Sequence, residues 1–283
     1  MNKLNLKIEI DENSGFCFGV TNAINKAEEV LDHNHELYCL GELVHNEEEI
    51  ARLQKKGLKI IHNYELKNIK NTKVLFRAHG EPPESYKLAE KNNNNIIDAS
   101  CPTILKIQKL IKEAFQNNEN IYIYGKHNHP EIIGLTGQVD NKAIVFEDIN
   151  ELKLRTLPEK LTLFSQTTKD INSFYEIVDF LKQNGIDVKV QNTICRKVYR
   201  RQKDLKDFAE SHDKIILVAG KNSSNGKVLY NECKKINPDS YFISSVQQIN
   251  KQWFKKNESI GICGATSTPM WLMKEVEKSL KSL

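Results

Sequence analysis

Three of the six cysteines mark an internal repeat, and this repeat constrains the fold more than any other feature. Cys17, Cys101 and Cys195 each follow a short β-rich run and stand at the start of a stretch with helical periodicity. After each cysteine, a further apolar run leads to a glycine and then to a polar segment. This shared order predicts three similar units. The predicted units are residues 1–99, 100–193 and 194–283.

Two polar clusters follow strands within each third of the chain. The first clusters each hold a polar residue 28 positions after the cysteine, and these residues are His45, His129 and Ser223. The second clusters are residues 77–80, 165–168 and 265–268. Ligands of parallel α/β sheets bind beyond the carboxyl ends of the strands. We therefore expect the six clusters to line one cavity.

Short β-rich runs alternate with helical stretches along the chain, which is typical of a mostly parallel sheet. The predicted strands are residues 6–10, 36–40, 74–77, 96–98, 121–124, 143–146, 161–164, 188–191, 215–219, 241–244 and 259–263. The clearest predicted helices are residues 20–31, 103–115, 171–183 and 197–211. The pattern predicts an α/β fold of three pseudo-threefold-related units with mostly parallel sheets.

Composition excludes several classes of protein. The 283 residues include 41 Lys and Arg against 37 Asp and Glu, and this net charge of +4 is too small and too mixed for a nucleic-acid-binding protein. The N-terminus lacks the apolar stretch of a signal peptide, and no window approaches the roughly 18 apolar residues of a membrane span. We expect a cytoplasmic protein that binds neither nucleic acid nor membrane and whose cysteines stay reduced.

The repeat divides the six cysteines into two groups. A helix dipole favours the thiolate of a cysteine at the helix start. Three such thiols suit a zinc site or a 4Fe-4S cluster with one iron lacking a protein ligand. No Cys-x-x-Cys spacing is present to decide between the two metals. A packing role is the third interpretation, and it is favoured for Cys39, Cys233 and Cys263.

Several polar residues after the strands suit an anionic substrate. His45, His79 and His129 stand at strand ends, where imidazole N–H groups could bind a shared anion. Residues 222–226 offer hydroxyl, amide and backbone donors before a helix, which fits either a phosphate site or an ordinary helix cap. Glu131 could deliver protons in a closed cavity or lie exposed as a surface carboxylate.

Eight motifs stand in order along the chain: GFCFGV at 15–20, LVHN at 43–46, RAHG at 77–80, DASCP at 98–102, HPE at 129–131, SQTT at 165–168, TIC at 193–195 and NSSN at 222–225. Together they resemble the 4-hydroxy-3-methylbut-2-enyl diphosphate reductase family of the non-mevalonate isoprenoid pathway. The resemblance covers nearly the whole length of the sequence.

The resemblance implies functional roles for particular residues. It implies one central 4Fe-4S cluster, surrounded by the three units and held by Cys17, Cys101 and Cys195. It implies that Thr167 contacts the hydroxyl end of the substrate and that Glu131 belongs to a proton relay. The residues it implies for the diphosphate are His45, His79, His129, Ser223, Ser224, Asn225 and Ser267.

The implied reaction is the two-electron reductive dehydroxylation of an allylic diphosphate, 4-hydroxy-3-methylbut-2-enyl diphosphate, to isopentenyl and dimethylallyl diphosphates. Since no dinucleotide fingerprint is present, electrons are expected from a separate ferredoxin or flavodoxin, and the pI of about 8.5 suits an acidic donor. Three alternatives stay open: a non-redox iron–sulfur hydro-lyase, a non-enzymatic iron–sulfur sensor or electron carrier, and a zinc phosphohydrolase.

Overall fold

The strands of this protein are short, apolar and parallel. The computed structural model describes residues 3–283, and within them the backbone forms three four-stranded sheets whose neighbouring strands all run parallel. In chain order the strands are β1 (Lys7–Ile10), β2 (Leu37–Leu40), β3 (Leu58–Ile61), β4 (Lys73–Phe76), β5 (Asn95–Asp98), β6 (Ile121–Tyr124), β7 (Ile144–Phe146), β8 (Lys160–Ser165), β9 (Asp187–Val190), β10 (Lys214–Val218), β11 (Ser240–Ile243) and β12 (Ser259–Gly264). The predicted α/β class is confirmed.

Helices connect the strands, as parallel pairing requires. In chain order they are α1 (Phe18–Asn34), α2 (Glu47–Lys55), α3 (Asn63–Leu66), α4 (Pro83–Lys91), α5 (Pro102–Gln116), α6 (Pro130–Thr136), α7 (Ile149–Lys153), α8 (Ile171–Gln183), α9 (Arg196–Glu210), α10 (Ser224–Ile236) and α11 (Met270–Lys281). Short 3₁₀ turns occur at Gly137–Val139, Val246–Gln248 and Lys251–Trp253. Local sequence fixes several helix starts; for example, the Asp170 carboxylate accepts the Ser173 N–H at 2.8 Å and caps α8.

The three sheets share one strand order. The sheets run β3-β2-β4-β5, β7-β6-β8-β9 and β11-β10-β12-β1. In the first two sheets the first of the two middle strands leads to one edge strand and the second leads to the opposite edge strand. In the last sheet β10 leads to the edge strand β11, whereas β12 is followed by α11 and its edge neighbour β1 comes from the start of the chain. The loops after the middle strands therefore diverge at the carboxyl end, and such a point is where open parallel sheets bind ligands. The six predicted polar clusters all follow these middle strands.

Strand β1 lies in the sheet of the last third, whereas the predicted boundaries assign it to the first. Its residues pair with β12, with Lys7 opposite Ser259 and Ile10 opposite Ile262. The last third supplies three strands, so β12 would otherwise present an unpaired edge, and β1 satisfies those backbone groups. The division at residues 99/100 and 193/194 itself stays a prediction.

Each sheet is covered on both faces, because successive side chains of a strand point to opposite sides. In β6, Tyr122 and Tyr124 pack in a cluster with α8, whereas Ile121 and Ile123 pack with α5 and α6. The last sheet behaves in the same way. One face packs on α11 and the other on α9 and α10.

Eleven of the strands match predicted ones to within one or two residues, and β3 was missed. Leu58–Ile61 follows α2 after only two residues, Lys56 and Gly57, so the interval that would mark a strand start is very short. Gly57 adopts a φ of 110°, and a Cβ at this position would clash with the carbonyl oxygen of His35. The strand starts where glycine lets the chain turn tightly against its neighbour.

The chain divides into two compact units, named here for their place in the sequence. The terminal unit contains the described residues up to Thr21, together with Val44–Lys56 and Arg196–Leu283. The middle unit contains Asn22–Leu43 and Gly57–Cys195. No helix within residues 3–283 is both long and apolar enough to cross a membrane.

Candidate active site

The three repeat cysteines occupy equivalent places, each just before a helix. Cys17 precedes α1, Cys101 is the N-cap of α5, and Cys195 precedes α9. Their backbone N–H groups donate to three carbonyl oxygens in the second polar clusters, each two residues after the end of a middle strand. These bonds are Cys17 to Thr266 at 3.1 Å, Cys101 to Ala78 at 3.1 Å and Cys195 to Thr167 at 3.0 Å. The repeat therefore extends to individual hydrogen bonds.

The other three cysteines pack in the core. Cys39 lies in β2, Cys233 in α10 and Cys263 in β12, and all three are fully buried. Burial raises the pKa of the Cys39 thiol to about 12, and a hydrogen bond with Cys233, together with burial, raises the pKa of Cys263 well above its usual range. Cys39 and Cys263 therefore stay neutral thiols, and the burial of all three side chains agrees with the packing interpretation.

Glu131 and Thr167 of the middle unit are joined by two hydrogen bonds. Glu131 is 1% exposed, in the first turn of α6. Its two carboxyl oxygens accept the backbone N–H and the hydroxyl of Thr167, each at 2.7 Å. Burial raises the pKa of Glu131 to about 7, although both hydrogen bonds oppose that increase. A carboxyl group of this pKa can hold or release a proton near neutral pH.

Two candidate histidines of the middle unit, His79 and His129, lie near this pair. His129 is the N-cap of α6, and its Nδ1 accepts the N–H of Glu131 at 3.2 Å. When the ring is neutral, the proton is therefore on Nε2, which is a donor for an anion. The His79 ring lies edge-on to the His129 ring, with centroids 5.5 Å apart.

A chain of contacts joins the candidate residues of the middle unit. Cys195 bonds to the Thr167 carbonyl, Thr167 bonds to Glu131, and Glu131 follows His129 on one helix start. The loop that carries His79 approaches the same helix closely. A Cβ on Gly134 would clash with the carbonyl oxygen of Gly80. Thiols, imidazoles and a protonatable carboxyl thus lie along one set of neighbouring loops.

Hydroxyl and amide groups gather in the terminal unit. The Ser223 and Ser267 hydroxyl oxygens lie 3.2 Å apart, and Ser223 also caps α10 by accepting the Gly226 N–H at 3.0 Å. Asn225 donates to the hydroxyl of Thr266 at 3.2 Å, and the Thr266 carbonyl is the acceptor for Cys17. These side chains and the start of α10 offer several donors within a few ångströms, which suits a phosphate group.

Asn225 has an unused hydrogen-bonding position. Its Oδ1 is buried, and no group within residues 3–283 donates to it. Because an amide can turn to present its oxygen or its NH₂ group, this position can serve a ligand of either kind. Ser224, the first residue of α10, is half-buried beside it.

His45 lies in the terminal unit, two residues before α2. The N-cap of α2 is Asn46, whose Oδ1 accepts the Glu49 N–H at 3.1 Å. Gly220, two residues after the end of β10, lies directly against the His45 backbone, and a Cβ there would clash with the His45 carbonyl oxygen. This close approach brings the His45 loop beside the loop that leads to Ser223.

The sequence analysis missed a buried ionic network in the terminal unit. Arg201 of α9 forms an ion pair with Asp11, and both side chains are buried. Arg201 also donates to the Ser14 hydroxyl at 2.7 Å, and that hydroxyl donates to Asp11 at 3.0 Å. The network fixes the loop that leads to Cys17. A single sequence offers no signal for it, since 187 residues separate Ser14 from Arg201.

Comparison with known proteins identifies the family. A family model described as LytB protein matches residues 8–281. A 4-hydroxy-3-methylbut-2-enyl diphosphate reductase of Bacteroides fragilis is 48% identical over 98% of both chains. The reductases of the same name from Porphyromonas gingivalis and Chloroherpeton thalassium are 45% and 42% identical, each over 98% of this chain.

Solved structures agree with the sequence relatives. A structure of (E)-4-hydroxy-3-methyl-but-2-enyl diphosphate reductase, described as the terminal enzyme of the non-mevalonate pathway, is 32% identical and covers 98% of this chain and 100% of its own, with a TM-score of 0.72. The E-1-hydroxy-2-methyl-but-2-enyl-4-diphosphate reductase from Plasmodium falciparum is 27% identical, with a TM-score of 0.87 over 97% of this chain and 87% of its own. With a family model across residues 8–281 and relatives matched along nearly their full length, this chain belongs to the LytB protein family.

Proposed function

We propose that this protein is a 4-hydroxy-3-methylbut-2-enyl diphosphate reductase, acting at the last step of the non-mevalonate isoprenoid pathway. The observation that carries this assignment is the 48% identity to a curated reductase over 98% of both chains. The substrate gains two electrons and two protons, loses its hydroxyl oxygen as water, and becomes isopentenyl or dimethylallyl diphosphate. Two products form because the allylic carbon skeleton can take its new proton at either end.

The proposed cofactor is an iron–sulfur group, in the form of one 4Fe-4S cluster with Cys17, Cys101 and Cys195 as ligands. The half-buried position of each thiol at a helix start supports this choice, because the helix dipole favours a thiolate there. Three protein thiolates suit a cluster that, when bound, supplies electrons one at a time and offers one iron to the substrate hydroxyl.

The proposed diphosphate site consists of imidazole, hydroxyl and amide donors. Ser223, Ser224 and Asn225 stand at the start of α10, where backbone N–H groups and the helix dipole favour an anion. The hydroxyl of Ser267 adjoins that of Ser223. We assign His45, His79 and His129 to the same anion, since each follows a middle strand of a parallel sheet and offers ring N–H groups.

Glu131 and Thr167 are the proposed proton relay. Water can leave only after the substrate oxygen accepts a proton, and Glu131 holds one at its carboxyl group near neutral pH. The Thr167 hydroxyl, 2.7 Å from Oε2 of Glu131, can accept this proton while passing its own to the substrate oxygen. Burial of Glu131 excludes bulk water from the exchange.

The proposed electron source is a separate one-electron carrier of the ferredoxin or flavodoxin type. The sequence has no nicotinamide or flavin fingerprint, and its net charge of +4 favours an acidic partner.

The test is an anaerobic assay with the allylic diphosphate and chemically reduced methyl viologen. We expect viologen oxidation matched by the two diphosphate products, and Glu131→Gln should bind substrate and keep its iron but lose most turnover. A hydro-lyase would act without viologen, a zinc phosphohydrolase would release phosphate, and a sensor or electron carrier would give no product. Any of these three results would overturn the proposed function.

A further inference from the structure

The first half of helix α9 carries an exposed cluster of basic side chains. Arg196, Lys197, Arg200 and Lys203 are all exposed, and the first acidic residue of the helix is Asp204. Residues three, four and seven positions apart lie on one side of a helix, so these side chains neighbour one another. Tyr199, which is 45% exposed, adds an aromatic ring. We name these five residues the α9 basic face.

The α9 basic face opposes the electrostatics of its own helix. The N-terminal end of a helix carries partial positive charge and favours acidic residues. Helix α2 follows that rule with Glu47, Glu48 and Glu49 in its first turn. Several other helices also lack acidic residues there, but α9 differs in beginning with two basic side chains, Arg196 and Lys197. None of the four basic side chains forms an ion pair with another group in residues 3–283, although Lys206 and Glu210 do pair later in the same helix. An arrangement that costs local stability is expected where function needs it.

The buried side of α9 holds this face in a fixed orientation. Val198, Leu205 and Ala209 are buried, with Leu205 and Ala209 in the core beneath the last sheet, and Arg201 is anchored by its ion pair to Asp11. The basic face is therefore presented on a rigid element rather than on a loop. Complementary charge on a rigid surface accelerates the encounter of two proteins and sets their relative orientation.

The chain places this face next to a proposed cofactor ligand. Arg196 directly follows Cys195, whose N–H is bonded to the Thr167 carbonyl. A protein that docks on the first turns of α9 is thus brought to the helix start at which the proposed cluster is held. Electron transfer requires this kind of proximity, whereas binding of a nucleic acid or a membrane does not.

We propose that the α9 basic face docks an acidic one-electron carrier protein of the ferredoxin or flavodoxin class. The inference rests on the proposed function and adds the partner's docking surface to it. Each docking event oxidises one carrier by one electron, and two events supply the two electrons that reduce the substrate, together with two protons from water. Positive side chains on this protein then meet carboxylates on the carrier.

The experiment compares two electron donors on one triple variant. Arg196→Gln, Lys197→Gln and Arg200→Gln are combined in the holoenzyme, and an acidic flavodoxin or reduced methyl viologen is the sole donor. With flavodoxin we expect KM for the carrier to rise on the order of tenfold and its dependence on salt to flatten. With methyl viologen, turnover and iron content should equal those of the wild type.

A matched control removes the same charge elsewhere. Lys251→Gln, Lys274→Gln and Lys278→Gln together neutralise three exposed lysines outside α9, and KM for flavodoxin should stay within about twofold of the wild type. The proposal is overturned if the α9 variant keeps its wild-type KM, if the control variant rises equally, or if the α9 variant also loses viologen-driven turnover. If the wild-type protein itself shows no turnover with reduced methyl viologen, the proposed function is contradicted instead.

Discussion

The buried carboxyl group of Glu131 destabilises the folded protein when it is ionised, and its proposed role in proton transfer explains why a carboxyl group stands there. Burial raises its pKa from the ordinary 4.5 to about 7. Between these values the folded protein holds a proton that the unfolded chain has lost, so stability falls as pH rises across the interval. At about 1.4 kcal/mol for each unit of pKa difference, the ionised carboxyl lowers the free energy of unfolding by ~3 kcal/mol above pH 7.

Glu131→Gln should remove this penalty. The amide oxygen can still accept the Thr167 N–H, and the side chain no longer ionises. Measured by denaturant unfolding from pH 5 to 8, the variant should gain stability relative to the wild type until about pH 7 and then level off. Glu119→Gln is the control. A hydrogen bond from Lys189 lowers the pKa of Glu119 and stabilises the ionised form, so this substitution should lower stability instead of raising it. A pH-independent difference for Glu131→Gln would contradict the role of this carboxyl as a proton holder.

Asp11 and Arg201 show how a buried ion pair fixes the loop that leads to Cys17. Asp11→Asn should leave the Arg201 guanidinium buried without a charged partner, at a cost of about 3–5 kcal/mol. Urea unfolding at neutral pH measures the loss. Glu277→Gln, which breaks the exposed pair with Lys281 in α11, should cost less than about 1 kcal/mol. Equal effects of the two variants would show that the Asp11 pair contributes no more than a surface pair.

Helix α6 depends on a glycine for its place beside the His79 loop. In an exposed helix, Gly→Ala usually stabilises by about 1 kcal/mol. Gly134→Ala should do the opposite, because the added methyl group meets the Gly80 carbonyl oxygen, a backbone atom that cannot swing away. We expect a lower melting temperature and a higher KM for the diphosphate substrate. Ile133→Ala, at a partly exposed position of the same helix, should change KM little. A more stable Gly134→Ala variant would contradict this packing.

Apolar runs and their periodicity made most helices and strands predictable from the sequence. Helix 171–183 and strand 121–124 were predicted at their observed bounds, since each has an uninterrupted pattern. The short strand β3 has no such pattern, and Gly57, which allows it to begin, resembles any other loop glycine in the sequence.

At the candidate site, short motifs could be recognised in the sequence, whereas hydrogen bonds between residues far apart in the sequence could not be predicted. Glu131 stands in the HPE motif, but nothing in that motif gives its hydrogen bonds to Thr167, which is 36 residues away, or the burial that raises its pKa. The division of the cysteines could be predicted because strand interiors and helix starts differ in sequence pattern. The Asp11–Arg201 pair was missed because charged residues in a sequence look alike whether exposed or buried.

At the scale of the whole chain, the repeat relates each cysteine to the edge strand that precedes it. Each sheet takes its strands in the same order and ends at the edge strand before a repeat cysteine: β5 before Cys101, β9 before Cys195 and β1 before Cys17. Each repeat cysteine thus follows an edge strand of one of the three sheets, and for Cys17 that strand is β1, which pairs in the last sheet. The period of the repeat could be predicted from sequence, whereas its phase depended on the pairing of β1 with β12.

The most direct test of the account measures iron and sulfide in the six single Cys→Ser variants, all purified without oxygen. Cys17→Ser, Cys101→Ser and Cys195→Ser should each lose most of the iron, because each removes one thiolate at a helix start. The variants of the three core cysteines should keep the iron content of the wild type; they are Cys39→Ser, Cys233→Ser and Cys263→Ser. Equal iron loss in both groups, or full iron in the first group, would contradict the assignment of the three repeat cysteines as cofactor ligands.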